Sequence, residues 1–350
     1  MEHVDVAVIG GGQSGLAAAH ALLENGLHPV LLEASEHATG SWARYYDSLT
    51  LFSPARYSAL PGTPFDGDPD RYPRRDEVVD YLATYAARLP ADIRTSHRVT
   101  RVRADGDTFT LDLDGRGSLS ARAVVAATGT FGHPHRPALH GLEQFTGTVL
   151  HASAYQRPEP FAGQRVIIVG TGNSAVQIAA ELAAHARVTL SVRSPVKYAP
   201  QRILGRDLHF WLRATRIDTA PLGRFLRTHP TQAVIDDGRY RAALTSNAPD
   251  TRPLLSTADG SKVTWPDGTV EETDTILLAT GYRPDLGYLH DLGALDRNGH
   301  PRHRDGASLT HPGLAYVGLE WQRSLSSNSL RGVGRDAARA ARRIAAHLRG

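Results

Sequence analysis

Apolar residues in this chain gather in short runs that end on glycine, and the arrangement occurs twice. Val4-Asp5-Val6-Ala7-Val8-Ile9 has the near-continuous apolar character of a strand buried on both faces. It runs into Gly10-Gly11-Gly12-Gln13-Ser14-Gly15. Leu16 to Glu24 then carries a helical period that closes near Asn25-Gly26, and His28 to Glu33 predicts the next strand. Further along, Arg165 to Val169 predicts a strand, Gly170-Thr171-Gly172-Asn173-Ser174-Ala175 a second glycine turn, Val176 to Ala184 a helix and Val188 to Arg193 a returning strand. Each set is a βαβ unit.

The parallel extends beyond the units. Phe109 to Leu113, a turn at Gly115-Arg116-Gly117 and a strand from Ala123 to Ala127 end in Thr128-Gly129. Lys262 to Trp265, a turn at Asp267-Gly268 and a strand from Thr275 to Ala279 end in Thr280-Gly281. The chain therefore predicts an α/β fold of two Rossmann-like, dinucleotide-binding domains. The second is inserted in the first, because the residues after Gly281 still need a partner domain. Proline-containing hinges near Tyr155-Gln156-Arg157-Pro158 and from Thr280 to Pro284 suit the two crossings.

The two glycine turns differ in the charge of the residue at the end of the second strand. In a G-x-G-x-x-G turn the first glycine permits the tight turn. The second lets the backbone approach a pyrophosphate, the third packs helix on strand, and the anion sits at the helix N-terminus. Gly10, Gly12 and Gly15 fill these places in the first turn, with Ser14 as a hydroxyl donor to phosphate; Gly170 and Gly172 fill them in the second, with Asn173 and Ser174 beside them. Glu33 stands 23 residues after Gly10, where a carboxylate accepts hydrogen bonds from ribose hydroxyls. Arg193 stands 23 residues after Gly170, where a guanidinium suits a 2′-phosphate, and Lys197 adds a second positive charge. The pair differs in charge as an FAD or NAD site differs from an NADP site.

Composition narrows the chemistry. The 350 residues are 41% hydrophobic and 21% charged, as in ordinary folded proteins, and the length suits about two domains. Cysteine is absent, which excludes thiolate metal sites, thiol nucleophiles and a dithiol redox relay within the chain. The net charge is +3, and all basic residues except Lys197 and Lys262 are arginines. No basic run is interleaved with aromatics, so no nucleic-acid partner is expected. No apolar stretch approaches the ~20 residues of a membrane span, and the first strand begins too early for a signal peptide, so a cytoplasmic location is expected. His133, His135 and His140 lie in a proline-punctuated loop without carboxylate companions, and no metal is assigned to them. Arg335 to Arg349 places Ala337, Ala341, Ile344 and Leu348 on one face with arginines elsewhere, which favours a packing helix over a membrane-surface one.

With Gly10-x-Gly12-x-x-Gly15, Gly170-x-Gly172-x-x-Ala175 and Leu278-Ala279-Thr280-Gly281-Tyr282 in place, the chain resembles the flavin-containing monooxygenases. Phe145-x-Gly147-x-x-x-His151-x-x-x-Tyr155 is similar to the fingerprint of that family and of Baeyer–Villiger enzymes, and is more specific than either glycine turn. The likeness covers nearly the whole chain and is closer to the short bacterial and plant members. It implies an FAD-binding domain at 1–156 and 279–350 and an NADP-binding domain at 157–278. FAD and NADPH are the implied cofactors, a small molecule and O2 the substrates.

The resemblance also implies roles. Trp42, Thr128, Gly129, Thr280 and Gly281 join the glycine turns as cofactor-binding residues, and Gly318, Trp321 and Gln322 are placed beside the flavin ring. His151 and Tyr155 sit at the connection between domains, either coupling cofactor binding to domain geometry or forming a satisfied structural pair. Ser53 is the polar residue of Leu51-Phe52-Ser53-Pro54, where many longer members carry an asparagine that touches flavin and nicotinamide. The implied reaction is hydride transfer from NADPH to FAD, capture of O2 as a C4a-peroxyflavin and oxygenation of a soft nucleophile (N, S or metalloid) or a carbonyl. A reductase serving a ferredoxin or quinone, and a non-enzymatic flavin redox sensor, stay open as alternatives. The segment 198–255 is expected to cover the cleft or support a homodimer.

Overall fold

The first apolar run forms strand β1 (Glu2–Ile9), at the middle of a mostly parallel sheet. The computed structural model describes residues 1–226, 232–246 and 248–350. β1 pairs in parallel with β2 (Pro29–Leu32), and β3 (Asp92–Arg94) continues the sheet beyond it. An antiparallel pair, β4 (Val99–Asp105) and β5 (Thr108–Leu113), leads into the long strand β6 (Gly117–Ala126), which pairs with β1 on its other side. Leu314–Tyr316 adds a further parallel strand beyond β6.

Side-chain alternation explains why β1 is apolar throughout. Val6 and Val8 face α1 (Gln13–Glu24) and the C-terminal helix Leu330–Arg349, while Ala7 and Ile9 face the opposite layer with Phe109, Leu111 and Leu289. Ala337, Ala341 and Ile344 are buried in the first of these clusters and Leu348 packs at its edge, so the arginine-bearing helix is a packing element as expected.

The second sheet repeats the first. Its five strands are all parallel, in the order Asp250–Pro253, β9 (Arg187–Val192), β8 (Arg165–Val169), Thr275–Leu278 and β7 (Thr148–His151). β7 lies before the boundary expected at residue 156, yet it pairs with Thr275–Leu278. The chain has therefore crossed already at the first Ala-Thr-Gly, and each such exit supplies the outermost parallel strand of the other sheet, β7 here and Leu314–Tyr316 on the return. The proline hinge at 155–158 is not the crossing. The crossing is a pair of antiparallel strands: His135 N–H donates to Gly281 O (2.9 Å), Arg283 N–H to His133 O (2.9 Å) and Asp285 N–H to Gly129 O (3.0 Å).

The second hairpin differs from the first. β6 runs unbroken from the hairpin into the parallel sheet, whereas Val270–Glu272 and Thr275–Leu278 are separate strands in different sheets. The break falls where Asp274 N–H donates to Arg165 O and Thr273 N–H to Ser261 O.

Residues 198–226 of the segment 198–255 leave the second sheet and lie against the first domain, and Asp250–Pro253 rejoins that sheet. Tyr72 donates to Asp207 (2.6 Å), Gly223 N–H to Arg323 O (2.8 Å), and Arg331 pairs with buried Asp218 (2.6 Å). These contacts agree with a cover over the cleft; residues 227–231 and 247 of the segment lie outside the described residues. Among the described residues no helix is long and apolar enough to cross a membrane.

Candidate active site

The first glycine turn is shaped by backbone approaching backbone. Gly10 has φ +105°, and a Cβ there would stand 2.7 Å from Ala127 O. Gly15 begins the close contact of helix and turn, where a Cβ would lie 1.8 Å from Gly10 O. Gly12 is the N-cap of α1, no side chain caps the helix, and Gly40 (φ +60°) closes over it. The uncapped first-turn amides and the helix dipole suit this turn to an anion.

Glu33 directly follows β2 inside the same cradle, buried, with Gly11 N–H donating to Oε2 (2.6 Å) and Ser35 N–H and Oγ–H donating to Oε1 (2.7 and 2.6 Å). These bonds fix the carboxylate at the turn. Its remaining acceptor capacity faces a cavity of about 900 Å³ that Glu33 lines. An anion cradle whose side chains have been removed, with an acceptor carboxylate directly after β2, fits the pyrophosphate and ribose of FAD.

The second turn has the same build in a looser form. A Cβ at Gly170 (φ +150°) would stand 2.3 Å from Ala279 O, the counterpart of Ala127 O in the first repeat. Gly172 caps α3 (Asn173–Leu182), again without a side-chain cap. Ala175 takes the place of Gly15 and is fully buried, so the helix here stands far enough away to admit a methyl group. Arg193 comes directly after β9 and is exposed, as is Lys197. His135 is held below the usual imidazole range, first by burial and then by the charges of Arg283 and Arg193, which marks this end of the sheet as electropositive.

Of the residues singled out in the sequence, Gly10, Gly12, Ser14, Glu33, Trp42, Ser53, Thr128, Gly129, Asn173 and Gly318 line the cavity. Gly15, Gly170, Gly172, Ser174, Arg193, Lys197, Thr280 and Gly281 do not. The cavity nevertheless reaches both glycine turns, through Gly12 and Asn173. Gly318 (φ +91°) lies on Ser14, whose Oγ would be 2.0 Å from a Cβ there. Ser53 Oγ is 2.8 Å from Ser58 Oγ.

Several expected site residues are engaged elsewhere. Thr128 donates to Asp285 O (2.6 Å) and Thr280 to His135 O (2.5 Å), so each threonine clamps the opposite crossing strand. Trp321 and Gln322 lie outside the cavity, Gln322 buried beneath the Gly306 turn. The chain turns directly after Leu319, where Gln322 N–H donates to Leu319 O (3.1 Å).

His151 and Tyr155 are both completely buried and do not bond each other. Ser153 N–H donates to His151 Nδ1 (3.1 Å), so Nε2 carries the proton and donates to Gly281 O (3.1 Å). Burial keeps this imidazole below its usual range, with the Gly281 bond opposing. Tyr155 donates to Glu181 on α3 (2.7 Å), and burial first, then Glu181, pushes its hydroxyl far above the usual phenol range. Both hold the second domain to its entry strands and neither reaches the cavity. Tyr155→Phe removes the bond to Glu181 and is expected to destabilise the protein by about 1–3 kcal/mol. Thermal unfolding measures this, and an unchanged midpoint would show that the bond contributes nothing.

The structure adds residues that no local pattern announces. Gln13 joins the first turn to two distant segments: Trp42 Nε1–H donates to its Oε1 (3.1 Å) and its Nε2–H donates to Asn328 O (2.7 Å). His209 reaches the cavity wall from the second domain, with Asp207 bonded behind it. Burial alone raises Asp207, but bonds from His209, Tyr72 and Gln201 outweigh it and hold it at about 2. Because the folded value lies below the ordinary 3.8, these contacts stabilise the protein above that pH and are lost as pH falls from there towards 2. A carboxyl-carbon NMR titration is expected to find Asp207 half-protonated near the lower figure; a midpoint at the ordinary value would remove the contacts from the account.

Comparison with known proteins agrees with this geometry. Residues 7–318 match the family described as pyridine nucleotide-disulphide oxidoreductase. A protein described as an uncharacterized CzcO-like oxidoreductase from Geobacillus kaustophilus is 31% identical over 96% of this chain and 97% of its own. The indole-3-pyruvate monooxygenase YUCCA1 of Oryza sativa is 32% identical over 82% of this chain and 79% of its own. The solved structure of a flavin-containing monooxygenase from Stenotrophomonas maltophilia superposes with a TM-score of 0.87 at 32% identity, covering 99% of both chains. The paired glycine turns, the shared cavity and these matches place the chain in the pyridine nucleotide-disulphide oxidoreductase family, among its flavoprotein monooxygenases, which bind FAD and NADPH.

Proposed function

We propose that the protein oxygenates a small soft nucleophile (N, S or metalloid) or a carbonyl compound, using NADPH and O2. The observation that carries this reading is the continuous cavity of about 900 Å³ bordered by both glycine turns, from Glu33 at one βαβ unit to Asn173 at the other. Two dinucleotides seated on separate turns can meet only through a shared space, and hydride transfer needs their reacting rings in contact. Bound FAD supplies the redox and O2 chemistry, and the protein supplies orientation and exclusion of water.

In this reading Gly10, Gly12, Ser14 and Glu33 hold the pyrophosphate and ribose of FAD. Gly170, Gly172, Asn173 and Ser174 hold the pyrophosphate of NADPH, while Arg193 and Lys197 take its 2′-phosphate. Trp42, Phe52, Tyr57, Leu208 and Leu212 give the cavity an apolar wall, and the segment 198–226 shields it from solvent. Ser53 is a polar group on that wall. No acid–base dyad is required of the chain. The likeness to YUCCA1, an indole-3-pyruvate monooxygenase, supports the reaction class and leaves this chain's substrate to experiment.

The test is NADPH oxidation under 18O2 with a panel of sulfides, amines and ketones. The reading expects one 18O atom in the product for each NADPH consumed. NADPH consumption with electrons passed to a quinone or ferredoxin and no labelled product would favour the reductase alternative.

A further inference from the structure

One polar group on the cavity wall has no part in the chemistry above. His209 is 2% exposed, yet it lines the cavity. Its ring lies nearly parallel to those of Phe52 (centroids 6.0 Å, 23°) and Tyr57 (6.5 Å, 25°), which line the same cavity. Its Nδ1 is 2.9 Å from Asp207 Oδ1, and its backbone N–H donates to the same oxygen (2.7 Å). Tyr72 and Gln201 donate to the other oxygen, both at 2.6 Å.

A carboxylate in this setting only accepts, so Nδ1 carries the proton and the ring is fixed in one tautomer and one orientation. In the neutral ring Nε2 is left as an acceptor, and it makes no hydrogen bond among the described residues. Gln201 also donates to Phe52 O (3.0 Å), which ties the ring's support to the loop that carries Ser53. Arg331, a cation on the cavity wall, is already paired with buried Asp218. At His209 this wall offers an acceptor between aromatic faces, while Arg44 and Arg98 also line the cavity, Arg44 over the Phe131 ring (4.9 Å).

We propose that His209 Nε2 is the substrate-recognition group of the cavity, accepting a hydrogen bond from an O–H or N–H of a largely apolar substrate held beside Phe52 and Tyr57. Asp207 is the positioning residue that fixes the ring's tautomer and aims Nε2. The inference rests on the monooxygenase reading and names the substrate class of that same cavity.

The probes are 4-(methylthio)phenol, which carries an O–H donor, and methyl phenyl sulfide, which lacks it. Calorimetry on the FAD-loaded protein gives the ratio of their dissociation constants, and sulfoxide formation gives the ratio of kcat/KM. The wild type is expected to favour the phenol by about tenfold or more in both ratios. In His209→Phe the ratios fall close to one, and in His209→Gln, which keeps an acceptor, they recover at least in part. A wild type with no preference overturns the assignment before any variant is made, as does a His209→Phe protein that keeps the preference. If the binding preference depends on His209 but neither sulfide is oxygenated, the pocket stands and the monooxygenase reading falls.

Discussion

Replacing Gly15 by alanine is expected to give a protein that loses FAD and unfolds at markedly lower temperature. Local propensity points the other way, since alanine stabilises a helix by about 1 kcal/mol relative to glycine. The tertiary contact decides the sign. A methyl carbon at Gly15 would sit 1.8 Å from Gly10 O, far inside van der Waals contact, and the obstructing atom is backbone rather than a movable side chain. To relieve it, α1 must withdraw from the turn by well over an ångström, and the amides at its N-terminus move with it. Overpacking of this kind costs about 1–3 kcal/mol, and more where nothing can yield.

The second repeat is an internal control. Ala175 already occupies the corresponding place, so Ala175→Gly is expected to destabilise only by the helix-propensity difference, about 1 kcal/mol. Flavin absorbance per protein and the unfolding midpoint measure both variants. A yellow Gly15→Ala protein with wild-type stability would show that the turn is not a rigid cradle.

Arg193→Ala is expected to weaken NADPH much more than NADH. A charge-assisted bond to phosphate contributes about 1.5–3 kcal/mol, which corresponds to roughly ten- to hundredfold in affinity. NADH lacks the 2′-phosphate, so its affinity is expected to change little. Arg193 is exposed, and the discrimination should therefore shrink as salt is raised. Titration of the FAD-loaded protein with each coenzyme at two salt concentrations checks both points. Equal losses for the two coenzymes would sink the assignment of Arg193 to the phosphate and turn attention to Arg283, whose charge also acts on this end of the second sheet.

Much of the fold was legible because it is written in local, periodic signals. The boundaries of α1 and α3 are set by glycine at the N-cap and the end of the apolar period. The place of β7 was not legible. Thr148–His151 is short, and nothing in it tells which sheet it will join; that depends on the crossing strands 129–135 and 281–285 pairing with each other. The same limit applies to side chains. His151 and Tyr155 were visible as a motif, but their burial away from the cavity depends on Gly281 and Glu181, which come from distant parts of the chain. Asp207 and His209 were hidden for the converse reason: they lie in a stretch without strong period and acquire meaning only when Tyr72 and Phe52 meet them.

By itself the sequence determined the two glycine-turn units, the charge contrast between Glu33 and Arg193, the absence of thiol chemistry and the family resemblance. These are properties of neighbouring residues, set by backbone sterics, apolar spacing and residue type. Tertiary structure alone decided that both turns open on one cavity, that the two threonines clamp the crossing strands, and that His209, held by Asp207, lines the space between the domains. Those outcomes depend on contacts between residues far apart in the chain, and no local pattern encodes the packing that brings them together.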